Sequence, residues 1–215
     1  MFAKGGGGIE QAFVDYCEGL RDRGHQLLVV TAPDAWANEQ LERLGIPYHT
    51  LWNFNEYDIL ASFRLRRLLL TLKADIVIAH ANRAFSLSHR AVSKKIPVVG
   101  VVQNYSTRRY DKADAVFTTT ADLIETLVQQ GIAREVIHHI PNMVRCRELP
   151  HRLPRRQPPI IGTLGRFVKK KGFDVYIEAL AILKARGVHF RAVLGGSGEE
   201  EKALRQLAHD KGLSN

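Results

Sequence analysis

The chain has 215 residues, 45% of them apolar and 25% charged, enough for one large or two modest domains with a real core. Its 31 Lys and Arg against 22 Asp and Glu leave a net charge of +9, which favours an anionic partner such as a phosphorylated substrate, anionic lipid or nucleic acid. Cys17 and Cys146 stand far apart with no C-x-x-C pattern, no apolar run approaches about 18 residues, and glycines sit where a signal peptide needs an apolar core, so a disulfide scaffold, a zinc site and a membrane span are all disfavoured and a cytoplasmic chain is expected.

Lys4-Gly5-Gly6-Gly7-Gly8-Ile9-Glu10 opens the sequence and leads into a predicted helix with Ile9, Phe13, Tyr16, Cys17 and Leu20 on one face and Gly24 closing it. Four glycines before a helix N-terminus admit φ > 0 and close backbone approach to a ligand; a flexible tail is the plainer reading of the same run. Residues 27–30 read as a strand. Beyond them helical and extended patterns alternate: helices over 35–44, 57–72, 85–92 and 122–130, strands over 47–51, 75–79, 97–102, 115–117 and 136–140. Such alternation predicts βαβ units and a parallel sheet covered on both faces.

Two stretches within this run carry chemistry or a choice. The helix holding Arg64, Arg66 and Arg67 could lie on an anionic membrane as a basic amphipathic helix. It also runs straight into the next strand, as an ordinary sheet-covering helix does, and this second reading is preferred. His80 follows a predicted strand at its carboxyl end, where ligands of parallel sheets gather. A neutral imidazole there can hydrogen-bond a hydroxyl, although a lone His is more often structural.

Five arginines and four prolines between residues 145 and 159 read as an exposed linker, with a domain boundary near 155. Next comes an apolar strand, residues 160–164, then Gly165-Arg166-Phe167-Val168-Lys169-Lys170-Lys171-Gly172-Phe173, then a helix marked by Phe173, Tyr176, Ile177, Leu180 and Leu183 and capped by Gly187. Arg166 thus leaves a strand end and Lys171 stands just before a helix N-terminus, a place suited to a doubly charged anion. A solvated basic turn is the bland alternative. A strand over 190–194 precedes Gly195-Gly196-Ser197-Gly198, and Glu199-Glu200-Glu201 begin a last helix. The glycine turn fails the G-x-G-x-x-G spacing of a dinucleotide fingerprint.

Together, G-R-x-x-x-x-K-G-F-D, the helix and strand behind it, the Gly-Gly-Ser-Gly turn, the opening G-G-x-E and Arg23-Gly24-His25 before Val29-Val30-Thr31 closely resemble family 4 glycosyltransferases. The resemblance implies an α/β chain of GT-B type, two Rossmann-like, doubly wound parallel-sheet domains. Residues 1–155 would form the acceptor-side domain and 156–215 the start of the nucleotide-sugar domain. It implies a retaining, metal-independent transfer from a nucleotide-sugar, expected to be a UDP-sugar, to a glycan or lipid-linked acceptor such as lipopolysaccharide, with no cofactor and no nucleic acid. Carried over by position, Arg166 and Lys171 would hold the donor diphosphate. Gly7 and Gly8 would face its phosphates, Gly196 and Gly198 would line the donor site, and His80 would sit beside the sugar as the catalytic-side residue. The enzyme would work in the cytoplasm, in peripheral contact with the anionic inner face of the membrane.

The chain departs from the family in several places. Residues 1–4 are too short and polar for the strand that precedes the glycine loop, Met143 and Arg145 replace a Gly and an Asp after Pro141-Asn142, and Gln103-Asn104 stand where many relatives carry a His. The family's E-x7-E segment has no counterpart, since Glu199, Glu200 and Glu201 are adjacent. A truncated start, a second domain cut short and an inactive 215-residue chain are therefore expected. An anion-binding module without activity and a basic nucleic-acid binder remain the alternatives from other classes.

Overall fold

The computed structural model describes residues 1–92, 96–107, 109–144 and 157–213. The chain divides into two compact units, Met1–Cys146 and Arg147–Asn215. Most of the linker expected over 145–159, with the boundary near 155, lies outside the described residues.

In the first unit the elements follow as α1 (Gly8–Asp22), β1 (Val29–Thr31), α2 (Trp36–Arg43), β2 (Tyr48–Thr50), α3 (Ile59–Thr71), β3 (Val77–His80), α4 (Asn82–Ala91), β4 (Val98–Val102), β5 (Ala115–Thr118), α5 (Ala121–Gln129) and β6 (Ile137–His139). All strand pairs are parallel, in the orders β1-β2 and β3-β4-β5-β6. Strand β4 is buried at every residue, which explains its unbroken apolar run Val-Val-Gly-Val-Val. Its one gap, Gly100, is filled by Tyr110: a Cβ at Gly100 would lie 2.5 Å from Tyr110 Cε1 and 3.3 Å from Phe85 Cδ2.

Alternation along β1 separates two cores. Val29 joins Phe13, Val14 and Cys17 of α1 and Leu41 of α2. Val30 packs with Leu65 and Leu69 of α3, Phe85 of α4 and Leu127 of α5. Helices therefore cover both faces, as successive strand side chains demand. The strand starts two residues later and ends one residue later than expected, because its pairing with Tyr48–Thr50, and not the apolar run from Leu27, decides its bounds.

Residues 1–4 belong to no strand, so the parallel strands fall into two sheets. They are not as peripheral as their sequence suggests. Met1 and Phe2 are each 6% exposed and join different cores, the Met1 amino group donates to Val30 O at 2.9 Å, and Lys4 O accepts from Trp36 N–H at 3.0 Å.

The second unit comprises β7 (Ile160–Leu164), a single 3-10 turn (Lys169–Lys171), α6 (Phe173–Ala185), β8 (Arg191–Gly195) and α7 (Glu201–Asp210). Strand β7 pairs with β8 in parallel. Helix α7 starts at Glu201; Glu199 and Glu200 belong to the turn before it. A small core of Phe167, Phe173, Ile177 and Leu204 holds the unit, while Leu164 and Val193 on the two strands stay exposed.

Candidate functional site

The loop after β7 is fixed from its backbone. Gly165 N–H donates to Gly195 O at 3.0 Å, Phe167 N–H to Ser197 O at 2.8 Å, and Glu200 N–H to Phe167 O at 3.0 Å. Phe167 is buried edge-on against Phe173, with ring centroids 4.9 Å apart. Arg166, between two residues pinned in this way, is exposed and makes no ion pair or side-chain hydrogen bond among the described residues. Lys171 closes the 3-10 turn through its N–H to Val168 O at 2.9 Å, and its ammonium is exposed and has no side-chain partner among the described residues.

Gly172 then turns the chain into α6 with φ 66° and ψ 30°, a left-handed conformation that disfavours any residue with a Cβ. Helix α6 starts there, and its first N–H groups have no partner within the helix. Two free cations and a helix N-terminus thus come from one short loop, as expected from sequence.

Gly196 and Gly198 have a role that the motif does not reveal. Their φ values are 146° and 155°, a Cβ on Gly196 would run into the Gly165 carbonyl oxygen, and one on Gly198 would lie 2.5 Å from Phe167 O. They are glycines because the turn after β8 lies directly on the backbone that carries Arg166. A surface depression of about 590 Å³ lies along α7 between Gly198 and His209, and neither Arg166 nor Lys171 lines it.

In the first unit His80 is the last residue of β3 instead of the residue after the strand, and its side chain is buried at the strand end where ligands of parallel sheets gather. It is 2% exposed, enclosed edge-on by Phe13 at 5.3 Å and Tyr16 at 4.9 Å between ring centroids. Burial, with a smaller push from the Met1 amino charge, lowers its pKa to about 3, so the ring is neutral near pH 7. Among the described residues, its Nδ1 and the Tyr16 hydroxyl find no hydrogen-bond partner.

The next residue, Ala81, has φ 69° and ψ 160°, a costly conformation for a non-glycine that nothing in the sequence announces. Other polar groups collect at the same sheet end. Asn82 Nδ2 donates to Ser106 Oγ at 3.0 Å, Gln103 Nε2 to Asn142 Oδ1 at 3.0 Å, and the Tyr105 hydroxyl to Asp122. These pairings join residues far apart in sequence, so no local pattern marks them.

The glycine run does not use the freedom expected of it. None of residues 5–8 has a positive φ, and Gly7, the N-cap of α1, is simply extended. Space is the constraint instead: a Cβ on Gly6 would come 3.0 Å from the Trp36 ring and one on Gly7 3.0 Å from Glu10 Oε2, whereas Gly5 and Gly8 are open. Among the described residues, no group of three or more His, Cys, Asp or Glu could hold a metal ion.

Residues 6–148 match the model of Glycosyltransferase Family 4, and residues 147–215 that of Glycosyl transferases group 1. The chain belongs to Glycosyltransferase Family 4. It is 28% identical over 218 residues to the lipopolysaccharide core biosynthesis glycosyltransferase LpsE of Rhizobium meliloti, covering 97% of this chain and 62% of that protein. It thus spans about three-fifths of the length of this relative. Among solved structures it is similar to a glycosyltransferase from Rickettsia africae, with a TM-score of 0.79 and 17% identity over all of this chain and 65% of that one. Anabaena HepE, solved in complex with UDP and glucose, gives a TM-score of 0.74 at 19% identity over all of this chain and 66% of that one. These likenesses show the α/β fold of GT-B enzymes over the part that the chain spans.

Proposed function

We propose that the chain carries the donor-diphosphate site of a nucleotide-sugar-dependent glycosyltransferase that acts on a glycan or lipid-linked acceptor of the lipopolysaccharide kind. The observation that carries this reading is the loop from Gly165 to Gly172, where Arg166 and Lys171 stand exposed, and unpaired among the described residues, between a parallel strand end and a helix start. In the transfer, the bond between the anomeric carbon and the diphosphate oxygen breaks and negative charge collects on the leaving diphosphate. Arg166 can meet that charge with a planar fork of donors and Lys171 with a compact point charge. Preorganised donors aimed at developing charge are often the largest catalytic contribution. Gly196 and Gly198 serve the donor site by letting their turn lie against the Arg166 loop.

For the first unit, the open backbone at Gly8, beside Gly7 at the start of α1, supports backbone donors for an anionic group, while a place for neutral His80 beside the sugar requires Phe13 and Tyr16 to part over its ring. The likeness to HepE, solved with UDP and glucose, supports a UDP-sugar, and the relative named for lipopolysaccharide core synthesis supports the acceptor class. Retention of configuration and independence of metal follow the family. A cytoplasmic enzyme in peripheral contact with an anionic membrane is the setting that the net charge of +9 suits.

Thermal shift with UDP-, GDP- and ADP-sugars tests the reading, since a ligand at about 100 times its Kd stabilises by roughly 2.7 kcal/mol. A UDP-sugar should raise the melting temperature of the parent and that of Arg166→Ala by half as much or less. A shift equal in both, or none with any nucleotide-sugar, would refute the diphosphate site.

A further inference from the structure

Three buried polar atoms are unpaired, among the described residues, on the side of the first unit that α1 covers: the Tyr16 hydroxyl, His80 Nδ1 and Thr31 Oγ1. Thr31 shares a face of β1 with Val29, which joins the core of Phe13 and Cys17, and the Phe13 and Tyr16 rings meet the His80 ring edge-on. A buried donor or acceptor without a partner destabilises the arrangement that buries it, and contact with a hydroxyl would remove that cost. The two rings over His80 are not held alike. Phe13 is built into the core with Val29 and Leu41, whereas Tyr16 is buried but belongs to neither core, so its ring can leave without opening one.

The backbone beside His80 is strained as well. Ala81 has φ 69° and ψ 160°, a region that glycine enters freely and that a Cβ opposes. Its N–H reaches Val101 O only at 3.4 Å, a long bond that holds the peptide loosely at the end of β3. Strain next to unpaired polar atoms makes a second arrangement accessible, one in which the backbone relaxes and the polar atoms find partners.

We propose that Tyr16 is a gate over His80. In the closed arrangement, which predominates, its ring shuts the imidazole from solvent. In the open one the ring swings off His80, Ala81 relaxes to a negative φ, and Nδ1 can accept from a hydroxyl. Tyr16 is thus a positioning residue, which keeps the imidazole dry until a sugar hydroxyl takes the place of its ring; this use of the gate rests on the place of His80 beside the sugar given above. Ala81 sets the balance, because its strain is confined to the closed arrangement and favours opening.

Carbethoxylation of His80 by diethyl pyrocarbonate, followed peptide by peptide by mass spectrometry, tests the gate on the full chain. No nucleotide-sugar is present, so the gate can fail while the diphosphate site stands, and the reverse. The exposed His25 is the internal reference. In the parent, His80 should react at least about thirtyfold more slowly than His25. Tyr16→Ala removes the cover and should bring the two rates within about threefold. Tyr16→Phe keeps the cover and removes one unpaired hydroxyl, so His80 should slow by about three- to tenfold. Ala81→Gly relieves the strain of the closed arrangement and should slow it by about tenfold, with no loss of stability. A His that is merely part of the packing would not respond to Ala81→Gly, which touches no side chain over the ring. A parental rate in Ala81→Gly, or a His80 as reactive as His25 in the parent, would overturn the proposal. If Tyr16→Ala also exposes the buried Cys17 to a thiol reagent, its core has opened, and the Ala81→Gly rate alone decides.

Discussion

His80 offers the sharpest test of how the first unit is built, because its enclosure has a calculable pH dependence. Its pKa is lowered from 6.5 to about 3, chiefly by burial. The folded chain therefore refuses a proton that the unfolded chain accepts. Stability is complete above the unfolded value and falls as pH drops toward the folded one. At about pH 5 the gap amounts to roughly one and a half pH units, or about 2 kcal/mol, and at about pH 7.5 to almost nothing.

Replacing His80 with Leu removes the titration and fills a similar volume. The Met1 amino group, lowered by burial to about 5, titrates in both proteins, and its charge supplies only the smaller part of the His80 shift. Both tryptophans, Trp36 and Trp52, lie in the first unit, so urea unfolding followed by fluorescence reads that unit alone. Between about pH 7.5 and pH 5 the parent should lose about 2 kcal/mol more than His80→Leu. Parallel losses would mean that the imidazole is hydrated or paired, and the enclosure by Phe13 and Tyr16 would be refuted.

Other outcomes follow from the same geometry. Arg166→Ala or Lys171→Ala should weaken UDP binding about ten- to a hundredfold by calorimetry, each removing a charge-assisted hydrogen bond of roughly 1.5–3 kcal/mol; Lys169→Ala and Lys170→Ala should change it little, and parental affinity in the first two variants would remove the site. Gly100→Ala forces a methyl group against Tyr110 and Phe85 in the most buried strand, so the urea midpoint should fall by the equivalent of about 1–3 kcal/mol; an unchanged midpoint would show that Tyr110 packs elsewhere. Gly198→Ala meets both a disfavoured φ of 155° and the Phe167 carbonyl, so amide exchange at Phe167 and Glu200 should accelerate and UDP affinity should fall with it. Unaltered exchange would separate the glycine turn from the Arg166 loop.

What the sequence determined by itself was whatever depends on neighbours along the chain. The unbroken apolar run over 98–102, the glycines at 24, 131 and 187 with positive φ after helices, and the strand–loop–helix that carries Arg166 and Lys171 are all local, so residue types at fixed spacing suffice to read them. Strand ends were less legible, because ladder partners stop a strand and partners come from elsewhere: β1 runs to Thr31 because it pairs with Tyr48–Thr50. Only tertiary structure could enclose His80, since Phe13 and Tyr16 reach it from a helix much earlier in the chain. The tight seat of Gly196 and Gly198 on the Gly165–Phe167 backbone was hidden for the same reason, and so was the strain at Ala81. Helix α3 marks the limit most clearly. Leu65 and Phe63 are equally apolar in the sequence, and only the packing of the other elements leaves one buried and the other facing water. Hydrophobicity states what a side chain would gain by burial; which face receives a neighbour is decided by the whole fold.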